Sequence, residues 1–300
     1  MRLSWQLRVL LWQMRWIAKP LLRRTGEPEK ARRDLERAAA WMRWPPYLYH
    51  VKRPGGLHWI KVGTCQPGKV ILYFHGGGYV AGSPSTHVGM LGRLSKLSGY
   101  EVCAPEYPLA PEMTAPAQFE AGISAWDRLM ALGYAPRDVV IGGDSAGGGL
   151  ALAVLSAVLR RGDRPAGAFF LSPWTDLTCS GESLVTNRAA DPILPSERIH
   201  ELVGMIAPDL PKDDPRLSPI FADFPECPPV LMHYAETEIL RDDARRMAAH
   251  LRASGASVEE KVHSSAPHVW MFLDGYLPEA RRSLREVAHF VQASFAETKR

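Results

Sequence analysis

The sequence contains few cysteines, and they are not arranged as metal or redox sites usually are. Four cysteines occur without any Cys-x-x-Cys pair: Cys65, Cys103, Cys179 and Cys227. This spacing excludes the common zinc and dithiol motifs, and a chain of 300 residues does not need disulfides to form a stable core. We therefore expect reduced thiols, a cytoplasmic location, and neither a metal ion nor a cofactor.

The sequence also lacks long apolar runs, internal repeats and nucleic-acid-binding motifs. Apolar runs stay below the roughly 18 residues that an ordinary membrane span requires. The net charge of +4 is mild, and its basic excess lies in residues 1–33, where nine Lys and Arg accompany two Glu. A basic segment without a binding motif does not predict a nucleic-acid partner. Hydrophobic residues at 46% and charged residues at 23% are typical of a globular protein.

Residues 1–24 are rich in Trp, Leu and Arg and predict an amphipathic helix with a broad apolar face. A second helix is expected at residues 29–42, before Pro45 and Pro46. We interpret residues 1–44 as a helical cap over the rest of the chain. Peripheral contact of residues 1–24 with a membrane surface stays open as the alternative, because Trp and Arg together favour it. Arginines within the apolar region, with no small-residue cleavage site after it, argue against a signal peptide.

From residue 45 onward, short β-branched runs alternate with helical segments. Strands are predicted at residues 47–51, 57–62, 70–74, 100–104, 139–142, 166–171, 229–234 and 258–262. Helices are predicted at residues 85–98, 115–132, 145–160, 241–254 and 278–295. This alternation indicates an α/β protein with a mostly parallel eight-stranded sheet flanked by helices.

Residues 179–219 interrupt this alternation, because their periodicity is weak. Within them, a turn at residues 191–195 is followed by Ser196, which we predict to be the N-cap of a helix that ends near Ala207. An excursion of this size between two strands predicts a lid over a binding site. The core then consists of residues 45–178 and residues 220–300.

The clearest motif lies in residues 139–152. A β-branched run ends at Gly-Asp-Ser-Ala-Gly, residues 143–147, and an Ala- and Leu-rich helical segment follows. A strand, a sharp turn and a helix in this order hold a serine hydroxyl above the edge of the sheet, where it can act as a nucleophile. Trypsin-like proteases also contain Gly-Asp-Ser, but their fold is all-β, whereas strand and helix signals surround Ser145.

A second glycine cluster, His-Gly-Gly-Gly-Tyr at residues 75–79, follows the strand predicted at residues 70–74. Three consecutive glycines are costly unless the backbone must approach another group closely. Backbone amides at such a position can donate to the oxyanion that develops during acyl transfer. We expect the N–H groups of Gly76, Gly77 and Ala146 to be these donors.

A serine nucleophile also requires a base and a carboxylate that orients the base. His268 lies in the loop after the last predicted strand, as the chain order Ser, acid, His requires. His233 and His263 lie within or at the edge of strands, and we interpret them as structural. Four carboxylates follow the penultimate strand: Glu236, Glu238, Asp242 and Asp243. The last two are expected on the next helix, which leaves the two glutamates as candidates.

These motifs resemble those of the bacterial hormone-sensitive-lipase-like branch of the α/β-hydrolase esterases. His-Gly-Gly-Gly at residues 75–78 matches the family's oxyanion motif, and Gly-Asp-Ser-Ala-Gly-Gly at residues 143–148 matches its nucleophile turn. Tyr-Pro-Leu-Ala-Pro-Glu at residues 107–112 is similar to the family's Tyr-Arg-Leu-Ala-Pro-Glu. The resemblance covers residues 70–272 and implies an α/β-hydrolase fold with a helical cap.

The resemblance implies a carboxylic ester hydrolase that acts on short-chain acyl esters through an acyl-serine. It implies Glu238 as the acid, because Glu-Ile-Leu-Arg-Asp at residues 238–242 stands where the family has Asp-Pro-Leu-x-Asp; Glu236 is the reserve. Four residues are expected to line the substrate pocket: Tyr79, Asp144, Trp174 and Val269. The alternatives are an acyltransferase, or an amidase or deacetylase, with the same triad, and a non-catalytic protein that binds a small ligand. A homodimer is also left open.

Overall fold

The computed structural model describes residues 3–24 and 27–297. The start of the predicted first helix, residues 25 and 26 of the predicted cap, and the polar tail at residues 298–300 lie outside the described residues. The strands are β1 Leu48–Arg53, β2 Leu57–Val62, β3 Val70–Phe74, β4 Glu101–Pro105, β5 Val139–Asp144, β6 Gly167–Leu171, β7 Val230–Ala235 and β8 Val258–His263. The helices are α1 Trp5–Gln13, α2 Lys19–Arg24, α3 Pro28–Ala40, α4 Pro84–Ser98, α5 Ala117–Ala131, α6 Ser145–Arg160, α7 Ser183–Thr186, α8 Ile199–Ile206, α9 Arg241–Ala253 and α10 Pro278–Glu297.

The strands form one eight-stranded sheet in the order β1-β2-β4-β3-β5-β6-β7-β8. The hairpin β1–β2 is antiparallel, with Leu48 opposite Val62, and β2 is antiparallel to β4. All the other neighbouring strands are parallel. The mostly parallel eight-stranded α/β sheet predicted from the sequence is therefore confirmed.

The hydrophobic core lies on both faces of this sheet, and β5 runs through its centre. Val139 and Ile141 pack in the cluster beneath α5, α6 and α9, whereas Val140 packs in the cluster beneath α4 and α10. Side chains alternate between the faces of a strand, and a parallel sheet is covered on both. This explains why the central strands are continuous apolar runs in the sequence.

The loops that follow β3, β5, β7 and β8 all leave the same edge of the sheet, because these four strands are parallel. They carry the glycine cluster at residues 75–78, Ser145, Glu238 and His268. Open α/β sheets bind their ligands at the carboxyl ends of the strands. The topology thus brings residues that are far apart in sequence to one region.

The helix predicted over residues 1–24 is observed as α1, a π-helical turn at Met14–Ala18, and α2. It differs from the prediction in having apolar residues on both of its faces. Leu7 is buried against the core, whereas Trp5 and Trp12 are exposed to solvent. Among the described helices, each is too short or too polar to cross a membrane.

The predicted N-cap at Ser196 is wrong. Ser196 instead begins a 3₁₀ turn, Ser196–Arg198, and α8 starts after it without a side-chain cap. The extended residue before this turn is Pro195, which occupies the capping position and has no side-chain oxygen. The helix end predicted near Ala207 agrees with the observed end at Ile206.

Substitution of Trp126 tests how much the core beneath α5 contributes to the stability of the fold. Its side chain is 0% exposed and its indole N–H donates to Asp163 Oδ2 at 3.1 Å. Because Trp126→Ala leaves a large cavity, we expect it to lower the free energy of unfolding by about 3–5 kcal/mol in urea titrations. Trp41→Ala is the matched control, since Trp41 is 80% exposed and its loss should cost less than about 0.5 kcal/mol. Equal effects of the two substitutions would contradict the packing described.

Candidate active site

Ser145 lies at the sharp turn between β5 and α6, and it has a positive φ of 53°. A Cβ atom at Gly143 would lie 2.4 Å from the carbonyl oxygen of Gly147, and one at Gly147 would lie 2.1 Å from the carbonyl oxygen of His75. Only glycine fits at both positions. The strain at Ser145 is maintained by this packing and directs its hydroxyl out of the sheet edge.

Three side chains from separate loops form a continuous chain of hydrogen bonds. Ser145 Oγ lies 2.8 Å from His268 Nε2, and His268 Nδ1 lies 2.7 Å from Glu238 Oε2. An ionised carboxylate only accepts hydrogen bonds, so Nδ1 carries the proton and Nε2 is left to accept from the serine hydroxyl. The structure therefore brings together the three predicted residues in the geometry of a nucleophile, a base and an orienting acid.

Glu238 is fully buried, and two donors fix its carboxylate. The Ser172 hydroxyl and the Ala235 N–H both donate to Oε1, at 2.8 and 2.7 Å. This leaves Oε2 directed at the histidine. The reserve candidate Glu236 is exposed to solvent, and Asp242 lies on α9, as predicted, where it accepts from the Ser183 N–H.

The same carboxylate determines the protonation of His268. Burial by itself would lower the pKa of this imidazole, but the hydrogen bond and the negative charge of Glu238 raise it above its usual value of 6.5. A raised pKa makes His268 a stronger base toward the serine hydroxyl. It also means that His268 becomes protonated, and unable to accept a proton, at a higher pH than a free histidine.

The glycine loop after β3 is held from below by His75 and Tyr107. The two rings stack with centroids 4.1 Å apart, and the Tyr107 hydroxyl donates to the His75 carbonyl at 2.6 Å. Burial lowers the pKa of His75 to about 3, so this histidine is neutral near neutral pH. Its place beneath the loop is structural.

Asp144, next to the nucleophile, connects this loop to the turn. Its Oδ1 accepts hydrogen bonds from the Tyr73 hydroxyl at 2.8 Å and the Gly76 N–H at 3.0 Å, and lies 3.2 Å from His87 Nε2. Burial opposes ionisation of Asp144, but its interactions with His87 and the hydrogen bond from Tyr73 lower its pKa overall. A buried carboxylate thus fixes the glycine loop beside Ser145.

This arrangement corrects the predicted oxyanion donors. The Gly76 N–H donates to Asp144 Oδ1 rather than pointing at the space beside Ser145, which removes Gly76 from the donor set. In the described part of the chain, the N–H groups of Gly77 and Gly78 have no protein acceptor. The N–H of Ala146 lies in the first turn of α6, where amides have no partner within the helix. The geometry favours Gly77, Gly78 and Ala146.

A cavity of about 540 Å³ opens above Ser145 and His268. Part of its lining comes from the N-terminal helical segment, with Ala18, Leu22 and Leu35, and part from residues 193–205. Most of the side chains that line it are apolar. A volume of this size lies within the roughly 300–1,000 Å³ of typical small-molecule sites.

Three of the four residues predicted to line the pocket do so: Asp144, Trp174 and Val269. Tyr79 instead lies behind the cavity, buried, with its ring centroid 6.4 Å from that of Trp174. Its positive φ of 60° turns the chain away after the glycine loop. Within residues 3–24 and 27–297, no three His, Cys, Asp or Glu side chains are close enough to hold a metal ion.

Ser172 and His87 are functional-site residues that sequence reasoning missed. Ser172 lies just after β6 and has a positive φ of 48°, and its hydroxyl holds Glu238. His87 lies on α4, and no local sequence pattern connects it with the glycine loop. It contacts Asp144 because the tertiary fold brings the two residues together. Neither residue has a local sequence signal, except that Ser172 ends an apolar strand at a Ser-Pro pair.

A family model for the alpha/beta hydrolase fold matches residues 71–272, which is more than half of the chain. The chain belongs to the α/β-hydrolase family. Within this family it is a carboxylic ester hydrolase of the hormone-sensitive-lipase branch, which confirms the resemblance noted in its motifs.

Two relatives and one solved structure illustrate the similarity. An "Acetyl-hydrolase" of Streptomyces hygroscopicus is 34% identical over 77% of this chain and 78% of its own length. An "Ethyl acetate hydrolase" of Pseudomonas putida is 32% identical over 75% and 73%. The crystal structure of an esterase from the bacterial hormone-sensitive lipase family has a TM-score of 0.92 at 32% identity, covering 98% of this α/β-hydrolase and all of that chain.

The raised pKa of His268 predicts a specific pH dependence for this hydrolase. We expect kcat/KM to fall as the pH drops through a value above 6.5, where His268 gains a proton. In Glu238→Gln, burial dominates and lowers the pKa of His268, so this decrease should move to lower pH. The maximal kcat/KM should fall by roughly 10²–10⁴, because an amide stabilises the imidazolium poorly.

The measurement is kcat/KM against pH for the wild type, Glu238→Gln and the control Glu236→Gln. The control removes an exposed carboxylate two residues away and should leave the profile unchanged. If the acidic decrease stays in place in Glu238→Gln but moves in the control, the orienting role belongs to Glu236 instead.

Proposed function

We propose that this enzyme hydrolyses small, uncharged carboxylic esters through an acyl-serine intermediate. Ser145 Oγ attacks the ester carbonyl while His268 Nε2 takes the serine proton, and Glu238 stabilises the resulting imidazolium. The protonated His268 then gives its proton to the departing alcohol oxygen. The observation that carries the proposal is the pair of hydrogen bonds, 2.8 and 2.7 Å, that links these three residues.

The developing oxyanion lies, in this proposal, against the N–H groups of Gly77, Gly78 and Ala146. Such donors stabilise the tetrahedral intermediate because they are already oriented. In known cases each donor lowers the activation barrier by about 3 kcal/mol. Asp144 orients the loop that carries two of them through its bond with the Gly76 N–H. Water then enters, loses a proton to His268 and attacks the acyl carbon. The bond between this carbon and Ser145 Oγ breaks, His268 returns the proton to Oγ, and the carboxylic acid is released.

The cavity supports an apolar substrate. Its walls are largely aliphatic, although five charged residues also line it: Glu27, Asp34, Asp144, Arg198 and Glu201. A charged ester would lose hydration against these aliphatic walls, which is unfavourable. We propose a short acyl group, as the motifs imply, with the alcohol portion of the ester in the remaining space.

We propose that residues 1–44 and 179–219 together form the cap of this site. Both segments line the cavity, and the buried Lys19 joins them by donating to the carbonyls of Arg188 and Asp191 at 2.7 Å each. Such a cap excludes water from the reaction. The cytoplasmic location and the homodimer stay predictions.

The experiment that tests the proposed chemistry is pre-steady-state hydrolysis of p-nitrophenyl butyrate. We expect a burst of p-nitrophenol equal to the enzyme concentration if deacylation is slow, and a loss in kcat/KM of roughly 10⁴ or more in Ser145→Ala. Ser254→Ala, which changes an exposed serine at the end of α9, is the matched control and should behave as the wild type.

Retention of turnover in Ser145→Ala would refute the proposed nucleophile. Product analysis in the same assay, with added alcohols and with butyryl anilide, separates hydrolysis from its alternatives. Preferential transfer to the alcohol would indicate an acyltransferase, and cleavage of the anilide at a comparable rate would indicate an amidase. Tight binding of the ester without any turnover would indicate a binding protein.

A further inference from the structure

Helix α1 is held in one orientation on the molecule. At its N-terminus, the N–H and the hydroxyl of Ser4 donate to the two carboxylate oxygens of Glu279 on α10, at 2.8 and 2.9 Å. Leu7 is fully buried, and Leu10 and Leu11 pack against the core. These contacts determine which side of α1 faces the core and which side faces solvent.

The solvent-facing side carries a stripe of large apolar side chains. Trp5, Trp12 and Trp16 are 71%, 62% and 65% exposed, and Val9 lies between the first two on the same face of the helix. Ile17, in the π-helical turn, is exposed as well. Single exposed apolar residues are common, but a continuous stripe with three tryptophans indicates a contact surface.

The segment that carries this stripe has charges of one sign only. Residues 1–26 contain six Lys and Arg and no Asp or Glu. Arg8 and Arg15 are exposed and lie on one flank of the tryptophan stripe. A second copy of the chain meeting this face in a twofold interface would bring these arginines together, which is unfavourable. An anionic partner fits the surface better.

We propose that the face formed by Trp5, Val9, Trp12 and Trp16, flanked by Arg8 and Arg15, docks onto a bilayer that contains anionic lipids. Trp side chains favour the interface between headgroups and acyl chains, and each arginine near an anionic surface adds to the attraction. The helix lies in the plane of this interface and does not cross the bilayer.

The docked helix is followed in the chain by residues that line the cavity. Ala18 and Leu22 follow Trp16 along the chain and line the wall above Ser145. In this proposal, docking brings the segment that carries this wall close to the lipid surface, and so close to esters dissolved in the membrane. This second step rests on the proposed ester hydrolysis, whereas the docking itself does not.

The test is co-sedimentation of the full-length protein with vesicles of phosphatidylcholine alone or with an equal part of phosphatidylglycerol. We expect sedimentation with the anionic vesicles and at least roughly tenfold weaker partitioning to neutral ones. The combined variant Trp5→Ser, Trp12→Ser, Trp16→Ser should lose at least about tenfold of this partitioning. Arg8→Glu should weaken it by roughly tenfold or more on anionic vesicles only.

Matched controls change similar side chains elsewhere. Leu132→Ser removes an exposed apolar residue after α5, and Arg160→Gln removes an exposed charge at the end of α6. Both should sediment like the wild type. Hydrolysis of dissolved p-nitrophenyl butyrate and the melting temperature should stay unchanged in every variant, which shows that the stripe is not needed for folding.

Several outcomes would overturn the proposal. These are no sedimentation with either vesicle, equal sedimentation with both, or a wild-type dimer in analytical ultracentrifugation that the Trp variant converts to a monomer. The docking and the chemistry are separable: sedimentation with a catalytically inert protein would sustain the first and refute the second. Faster hydrolysis of a vesicle-dissolved ester by the wild type than by the Trp variant supports the link between them.

Discussion

The close backbone contact between the turn after β5 and the loop after β3 is the constraint on which the site depends. Space for a Cβ is absent at Gly147, where it would lie 2.1 Å from the carbonyl of His75. The two segments can therefore touch, and Asp144 locks them together through the Gly76 N–H. This contact sets the distance between the nucleophile and the amides that face it. The strained backbone at Ser145 persists because the surrounding packing overdetermines it.

The sequence predicted those parts of the site that local backbone chemistry specifies. Ser145 and the glycine loop were recognised because strands, glycines and helices occur there in a fixed order. His268 followed from its place after the last strand. The sequence favoured Gly76 over Gly78 as an oxyanion donor, and the structure favours Gly78, because the choice depends on where Asp144 points. That direction is set by Tyr73 and His87, which come from β3 and α4 and carry no common pattern.

The orientation of the N-terminal helix also depends on contacts that the local sequence does not specify. Its periodicity predicted a helix, but apolar residues occur on both faces, so the sequence could not say whether Leu7 or Trp12 would face the core. The orientation comes from Ser4 and Glu279, which are 275 residues apart. The consequence is functional, since a buried face supports the cavity wall while the exposed face stays available to a surface. Thus a cap and a membrane contact, which we first set against each other as alternatives, are compatible in one helix.

The central claim is that the Ser145 hydroxyl is activated by His268 and lies beside oriented amides. The most direct measurement is the site and rate of phosphonylation by a fluorophosphonate, mapped by mass spectrometry of peptides across a range of pH. The account predicts a single adduct on the peptide that contains Ser145. Its rate should rise as His268 loses its proton above pH 6.5, and it should drop sharply in His268→Asn. An adduct on another serine, or an unchanged rate in His268→Asn, would contradict the account.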